Sequence, residues 1–299
     1  MKYTVVTLFP EITDAYFSSS IMAKAIQRGI IEYRVINIRD FAFDKHKTCD
    51  DAPYGGGPGM LMLPEPLGRA LEAAGARKKG TGDWGLGTRD SGSRDESASG
   101  QSLNNANYDN NSEAHPNTST HDPQSPVPSP QSPYTIYLSP SGRPFTQKLA
   151  QELAGEQELI LLCGRYEGID QRVIDLYIDD EISVGDYVLS SGEVAALALI
   201  DATYRLVDRV ITPESLEEES FSNGLLEYPQ YTRPEIYDTM KVPDVLLSGH
   251  HENIRRWRLA KRVEKTLRCR PDLIQRGKTL GLFDKETNSI IGDMENERD

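Results

Sequence analysis

Glu158-Leu159-Ile160-Leu161-Leu162-Cys163-Gly164 (ELILLCG, residues 158–164) is a continuous apolar run closed by a glycine. A strand with one wet face alternates apolar and polar side chains. A run that is apolar at nearly every position has both faces covered. The stretch therefore reads as a buried parallel strand, with helices on both sides. Two neighbouring stretches extend the pattern. TIYLSP (135–140) reads as a strand and turn, and DEISVGDYVLSSGE (180–193) as a third strand with a glycine-bearing exit. The apolar segment EVAALALIDATYRLV (193–207) is a helix suited to a core or a subunit interface.

The N-terminal segment repeats the theme. Val5, Val6 and Leu8 form a short apolar run ending at Pro10. Over 11–28, Ile12, Tyr16, Phe17, Ile21, Met22, Ala25 and Ile26 recur at helical spacing, and Gly29 is a natural stop. Residues 31–38 (IEYRVINI) form a second strand, so the chain opens as βαβ and the fold class is α/β. A glycine-rich loop, DDAPYGGGPGMLM (50–62), precedes a helix over 65–74.

Composition narrows the class. The chain has 299 residues, room for one large domain or two smaller ones. Its apolar fraction of 37% is low, which fits dilution by a polar segment. Residues 77–133 are that segment: they are rich in Ser, Asn and Pro and cannot bury enough apolar surface to offset their ordering entropy. They read as a disordered surface insertion. No apolar run has the length of a membrane span, and the N-terminus lacks the pattern of a signal peptide. Cys49, Cys163 and Cys269 are far apart and odd in number, which suggests neither a disulfide framework nor zinc. A reducing cytoplasm is the simple reading. The net charge of −13 argues at first against a nucleic-acid partner. Its distribution reverses that locally, because residues 254–270 hold eight basic side chains and one acid. At a Debye length of about 10 Å, local fields outweigh the total.

Three loops stand at the C-terminal ends of the three strands between 135 and 193, the edge where open α/β sheets bind ligands. They are Leu138-Ser139-Pro140-Ser141-Gly142, Cys163-Gly164-Arg165-Tyr166-Glu167-Gly168, and Ser183-Val184-Gly185-Asp186-Tyr187-Val188-Leu189. Glycine lets backbone N–H and C=O groups approach a ligand closely. Any one of these glycines reads equally as a turn residue. Three loops together, with Tyr166 and Tyr187 able to flank a planar group, read as a binding site. No GxGxxG or Walker A pattern is present, so neither a dinucleotide nor a nucleoside triphosphate is favoured.

PYGGGPGM, YLSPSGR, LLCGRYEGID, SVGDYVLSSGE, YTRPE and VPDVLLSGHHENIRRWR resemble, in order, the signature stretches of the bacterial tRNA (guanine-N1)-methyltransferases, members of the SPOUT superfamily. The resemblance spans about 1–76 and 134–272. It implies a trefoil-knotted, mostly parallel sheet flanked by helices, with a small C-terminal helical domain. The knotted domain would occupy 1–211, the linker 212–224, and the helical tRNA-binding domain 225–299 with its acidic tail. It implies a cytoplasmic homodimer with active sites at its interface, S-adenosylmethionine as cofactor, a magnesium requirement, and tRNA as substrate. The methylated atom would be N1 of the guanine 3′ of the anticodon, position 37, preceded by another guanine.

Carried over by position, the resemblance assigns cofactor contacts to Tyr137, Leu138, Ser139, Pro140, Gly164, Tyr166, Glu167, Gly168, Ser183, Val184, Gly185, Asp186, Tyr187, Val188, Leu189, Ser191 and Gly192. Gly59 and Ser220 would border the target guanine. The basic helix is expected to bring Arg255, Arg256, Lys261 and Arg262 to the phosphates of the anticodon arm. Guanine N1 carries a proton, so transfer to it needs a base, and charge developing on O6 needs a cation. The resemblance gives the cationic role to Arg205 in the long helix, and the base to a carboxylate in the linker. The family's Asp-Ser-Phe there is Glu219-Ser220-Phe221 here. Paired glycines of the family appear as Ser191-Gly192, and a serine forced to positive φ would add strain and weaken cofactor binding. Those two departures leave open a catalytically impaired RNA-binding or cofactor-sensing homologue. A knotted methyltransferase of another RNA nucleotide is a further alternative, against which the long match in the C-terminal domain speaks.

Overall fold

The computed structural model describes residues 1–79, 132–212 and 219–297. Most of the polar segment 77–133, and residues 213–218 of the linker, lie outside the described residues. Five parallel strands form the central sheet. They are β1 (Lys2–Thr7), β2 (Glu32–Asn37), β5 (Tyr134–Pro144), β6 (Glu158–Cys163) and β7 (Asp180–Ser183), in the order β2-β1-β6-β5-β7. Two-residue strands β3 (Asp50–Asp51) and β4 (Leu61–Met62) form a small antiparallel pair beside it.

The opening stretch behaves as its composition dictates. Leu159, Ile160, Leu161 and Leu162 are all fully buried. Successive side chains of a strand point to opposite faces, and the two faces have separate cores. Leu159, Leu161 and Cys163 pack with Phe17, Met22, Leu149, Leu153, Ala196 and Leu199. Ile160 and Leu162 pack with Leu67, Leu71, Val173 and Tyr177. Helices α1 (Pro10–Phe17), α2 (Ser20–Gln27), α4 (Gln147–Ala154) and α6 (Gly192–Tyr204) thus cover one face, and α3 (Pro64–Ala74) and α5 (Gln171–Tyr177) the other. Each fully buried aliphatic side chain contributes about 1.5–3 kcal/mol to this arrangement.

Two expectations about elements change. The single helix over 11–28 is two helices, broken at Ser18-Ser19. Both serine hydroxyls donate back to the Ala15 carbonyl, which competes with helix propagation, and Ser20 adopts a left-handed φ of 55°. The third strand ends at Ser183, because the chain then enters the loop that builds the site.

The C-terminal part has its own small core. Helices α8 (His251–Cys269), α9 (Pro271–Thr279) and α10 (Lys285–Asn296) surround Leu225, Val263, Leu267, Ile274 and Ile291. A short hairpin, β8 (Ile236–Tyr237) and β9 (Met240–Lys241), and the one-turn helix α7 (Asp244–Leu247) precede them. Of the expected apolar side of the basic helix, Val263 and Leu267 are buried, and Ile254, Trp257 and Leu259 are partly covered. The Trp257 ring lies 6.3 Å from that of Tyr231.

Candidate active site

The C-terminal ends of β5, β6 and β7 converge on one cavity of about 220 Å³. All of the seventeen expected cofactor residues line it except Asp186. Arg165, Ile182, Ser190 and Ala195 line it as well and were not expected. Arg165 has a signal in the sequence, since it sits between Gly164 and Tyr166. Ser190 likewise adjoins Ser191, and Ala195 follows Gly192 by three residues in α6.

The loops have their shape because glycine permits contacts that a side chain would block. A Cβ on Gly192 would lie 2.8 Å from Cys163 Cα and from the Gly164 nitrogen. The Gly192 N–H donates to the Gly164 carbonyl at 2.9 Å, so the third loop returns to pack on the second. A Cβ on Gly164 would lie 2.8 Å from the Tyr137 hydroxyl. Gly185 has φ 154°, and the Ser183 hydroxyl donates to its carbonyl at 3.0 Å, which fixes the turn out of β7. Burial pushes the Tyr137 phenol up to about 12. It is therefore neutral at physiological pH and unsuited to act as a base. The Tyr166 and Tyr187 rings are exposed at the cavity's rim.

Ser191 does not carry the expected strain. Its φ is −165° and its ψ 157°, ordinary extended backbone that any residue adopts, and it serves as the N-cap of α6. Backbone strain at Ser191 therefore gives no cause for weaker cofactor binding.

The glycine-rich loop joins the second strand-end loop. Glu167 N–H donates to the Met60 carbonyl at 3.1 Å, Met62 N–H to the Gly168 carbonyl at 3.0 Å, and Asp170 N–H to the Met62 carbonyl at 3.2 Å. Gly59 has φ 84°, and a Cβ there would stand 2.3 Å from Glu167 Cγ. Gly59 is thus placed against a residue of the cavity wall.

Arg205 and Glu219 stand elsewhere, paired with each other. The guanidinium donates to both carboxylate oxygens, at 2.7 and 2.5 Å. Arg205 is the C-cap of α6, just beyond its last turn, and the Glu219 bond pushes its pKa above the ordinary value. Glu219 and Ser220 line a second hollow of about 550 Å³ with Gln147, Gln151 and Asp208. The two hollows share no lining residue. The Ser220 hydroxyl accepts the Glu227 N–H at 3.1 Å.

The basic helix differs from expectation in how its charge is disposed. Arg255 is bound by Glu252 and by Glu286 of α10, at 2.8–3.0 Å, and Arg256 by Glu252 at 2.9 Å. Lys261 pairs with Glu264 at 2.6 Å. Arg262 is buried, bonded to the Asn223 side chain and to the Leu226 carbonyl. It ties the linker to the helix and presents no free charge to a phosphate.

Glycine loops converge on one edge of a parallel sheet, the third folded back on the second, and with the family match that follows the molecule is of the SPOUT class of α/β methyltransferases. More particularly, the chain belongs to the tRNA (guanine-1)-methyltransferase family: the family model described as "tRNA (Guanine-1)-methyltransferase TrmD" matches residues 1–82 and 119–276. Similar curated proteins agree. The tRNA (guanine-N(1)-)-methyltransferase of Treponema denticola is 51% identical, over 99% of this chain and 100% of its own. That of Treponema pallidum is 48% identical over 99% and 97%. That of Borrelia duttonii is 49% identical over 96% and 100%. Close contact between the Cys163-Gly164 and Gly192 loops is consistent with the knot of this class.

Proposed function

We propose that this chain transfers the methyl group of S-adenosylmethionine to N1 of the guanine at tRNA position 37, when a guanine precedes it. The observation that carries the reading is the single cavity lined by all but one of the expected cofactor residues. Its glycine backbone and flanking tyrosines suit a flat purine and a small polar tail. S-adenosylmethionine bound there supplies an electrophilic methyl on a sulfonium.

The protein's own work is to bind the base, remove its N1 proton and stabilise O6. Glu219 takes the proton and Arg205 donates to O6. In the free chain these two groups neutralise each other. An incoming guanine O6 that accepts from Arg205 would release the Glu219 carboxylate for N1, so substrate binding itself arms the base. The N1 proton leaves as methyl arrives, and the glutamic acid returns it to water.

Because Arg205 and Glu219 do not line the cofactor cavity, a second copy of the chain would bring them to it. We therefore read the active unit as a homodimer, with the catalytic pair of one protomer facing the cavity of its partner. The helices over 225–297 would hold the anticodon arm. Among the described residues no group of three His, Cys, Asp or Glu side chains could cage a metal. A magnesium ion would be held largely by RNA phosphate and water, as Mg²⁺ commonly is. No described helix is long and apolar enough to cross a membrane, and we place the protein in the cytoplasm with its substrate.

The direct test supplies labelled S-adenosylmethionine and two tRNA transcripts that differ only at position 37. Label confined to the transcript with guanine supports the reading. Equal labelling, or none, refutes it.

A further inference from the structure

Two walls of the cofactor cavity, 164–168 and 190–192, share one buried carboxylate behind them. Glu193 is 1% exposed and follows Gly192 in the first turn of α6. Its Oε1 accepts the Thr7 hydroxyl at 2.5 Å, and Thr7 Oγ1 accepts the Phe9 N–H at 2.9 Å. The Phe9 ring carries the Arg165 guanidinium, whose Cζ lies 4.5 Å from the ring centroid. Arg165 lines the cavity beside Gly164 and Tyr166.

We infer that Glu193 is a positioning residue for the cofactor cavity. Through Thr7 and Phe9 it sets the wall that bears Arg165, and through its own helical turn it sets the wall formed by Ser190, Ser191 and Gly192. This rests on the reading of that cavity as the S-adenosylmethionine site.

Stability alone does not account for a carboxylate at this position. Its second oxygen, Oε2, is buried and has no partner among the described residues. Leaving a buried acceptor unmade costs free energy, which an apolar side chain of similar size would avoid. Part of that cost is offset by the N-terminus of α6, where backbone N–H groups favour negative charge. What the carboxylate adds is direction. A hydroxyl held between a carboxylate and a backbone N–H has one orientation, so the end of β1 is fixed relative to the start of α6. Phe9 leaves β1 at that point, and the cation stacked on its ring moves with it.

The test is a titration of the full chain with S-adenosylhomocysteine by calorimetry, with thermal unfolding measured beside it. Thr7→Val removes the hydroxyl without changing shape, and Thr7→Ser keeps it. Thr7→Val and Glu193→Ala are each expected to raise the dissociation constant about tenfold, the scale of one charge-assisted hydrogen bond. The double variant should be no worse than the single ones, and Thr7→Ser should bind nearly as the parent does. In an Arg165→Ala background, Thr7→Val should lose most of its effect on binding while still lowering the melting temperature. A purely structural role would give additive losses that ignore Arg165. Unchanged binding in Thr7→Val, or additive losses, overturns the inference. If the parent itself fails to bind S-adenosylhomocysteine, the cofactor reading falls, and this inference with it.

Discussion

Arg205 grips Glu219 through two parallel hydrogen bonds of 2.7 and 2.5 Å, so the cation and the carboxylate proposed to act on guanine hold each other in the free chain. The geometry is the bidentate fork that arginine makes with a carboxylate. Both groups are partly exposed, with about a third and a quarter of their side-chain surface in solvent. Solvent screening therefore keeps the pair modest in strength, and a substrate that competes for Arg205 can open it.

Glu219→Gln keeps the shape and removes the base. Single-turnover methylation at saturating tRNA should fall by about 10²-fold or more, with tRNA affinity little changed. Glu219→Asp restores a carboxylate and should recover much of the rate. A glutamine variant as fast as the parent would remove Glu219 from the mechanism.

If the catalytic pair serves the cavity of a second protomer, two inactive chains can rescue each other. Glu219→Gln lacks a base, and Gly164→Trp fills the cavity. Mixed and reassembled in equal amounts, they should regain roughly a quarter of the parental turnover, from random C₂ pairing. A mixture that stays inactive, though light scattering shows dimers, would place base and cofactor in the same chain.

If the basic helix holds tRNA as proposed, its acidic partners would limit its affinity. Glu286→Gln frees one grip on Arg255 and should tighten tRNA binding by a few-fold at low salt, the scale of an exposed ion pair. The dependence of log K on log salt should steepen with it, since another cation reaches phosphate. Arg255→Ala should weaken binding and flatten that slope. Binding indifferent to both changes would argue that this face of the helix does not meet RNA.

Arg262 is expected to behave differently from its neighbours. Its removal leaves the Leu226 carbonyl and the Asn223 side chain without their donor. Arg262→Ala should cost about 1–3 kcal/mol of stability in denaturant unfolding. A variant of full stability that binds tRNA poorly would restore it to the phosphate-binding set.

Ser191 and Gly192 separate two kinds of departure from a glycine pair. Ser191→Gly should leave S-adenosylhomocysteine affinity within about twofold, since the backbone there is already relaxed. Gly192→Ala should abolish binding or folding, because its Cβ would meet backbone atoms that cannot step aside. Improved binding in Ser191→Gly would show that the serine does impose a cost.

Features governed by local pattern were readable in the chain. Residues 158–163 declared a two-sided strand because both faces are buried, and the three glycine loops marked where the cavity lies because they follow such strands. What could not be read depends on partners distant in sequence. The i,i+3 spacing of Glu252 and Arg255 shows one acidic partner, but the second, Glu286, 31 residues on, appears only when the chain is folded. Arg262 looks exposed until the linker crosses it. Glu193 reads as an ordinary helix-start acid, and only tertiary contact shows that it lies under Thr7, 186 residues away. The break at Ser18-Ser19 was missed because apolar spacing continues across it, while the serine hydroxyls that cause it carry no periodic signal.

The bonds joining Met60 and Met62 to Glu167, Gly168 and Asp170 make the glycine-rich loop and the proposed cofactor loop one mechanical piece. Order imposed on either is shared by the other. Whatever factor cofactor occupancy adds to tRNA affinity, tRNA must return to cofactor affinity, since the two binding events close a thermodynamic cycle. If that factor exceeds one, the enzyme would hold its methyl donor most firmly when an acceptor is present, and let the demethylated product go once the RNA has left.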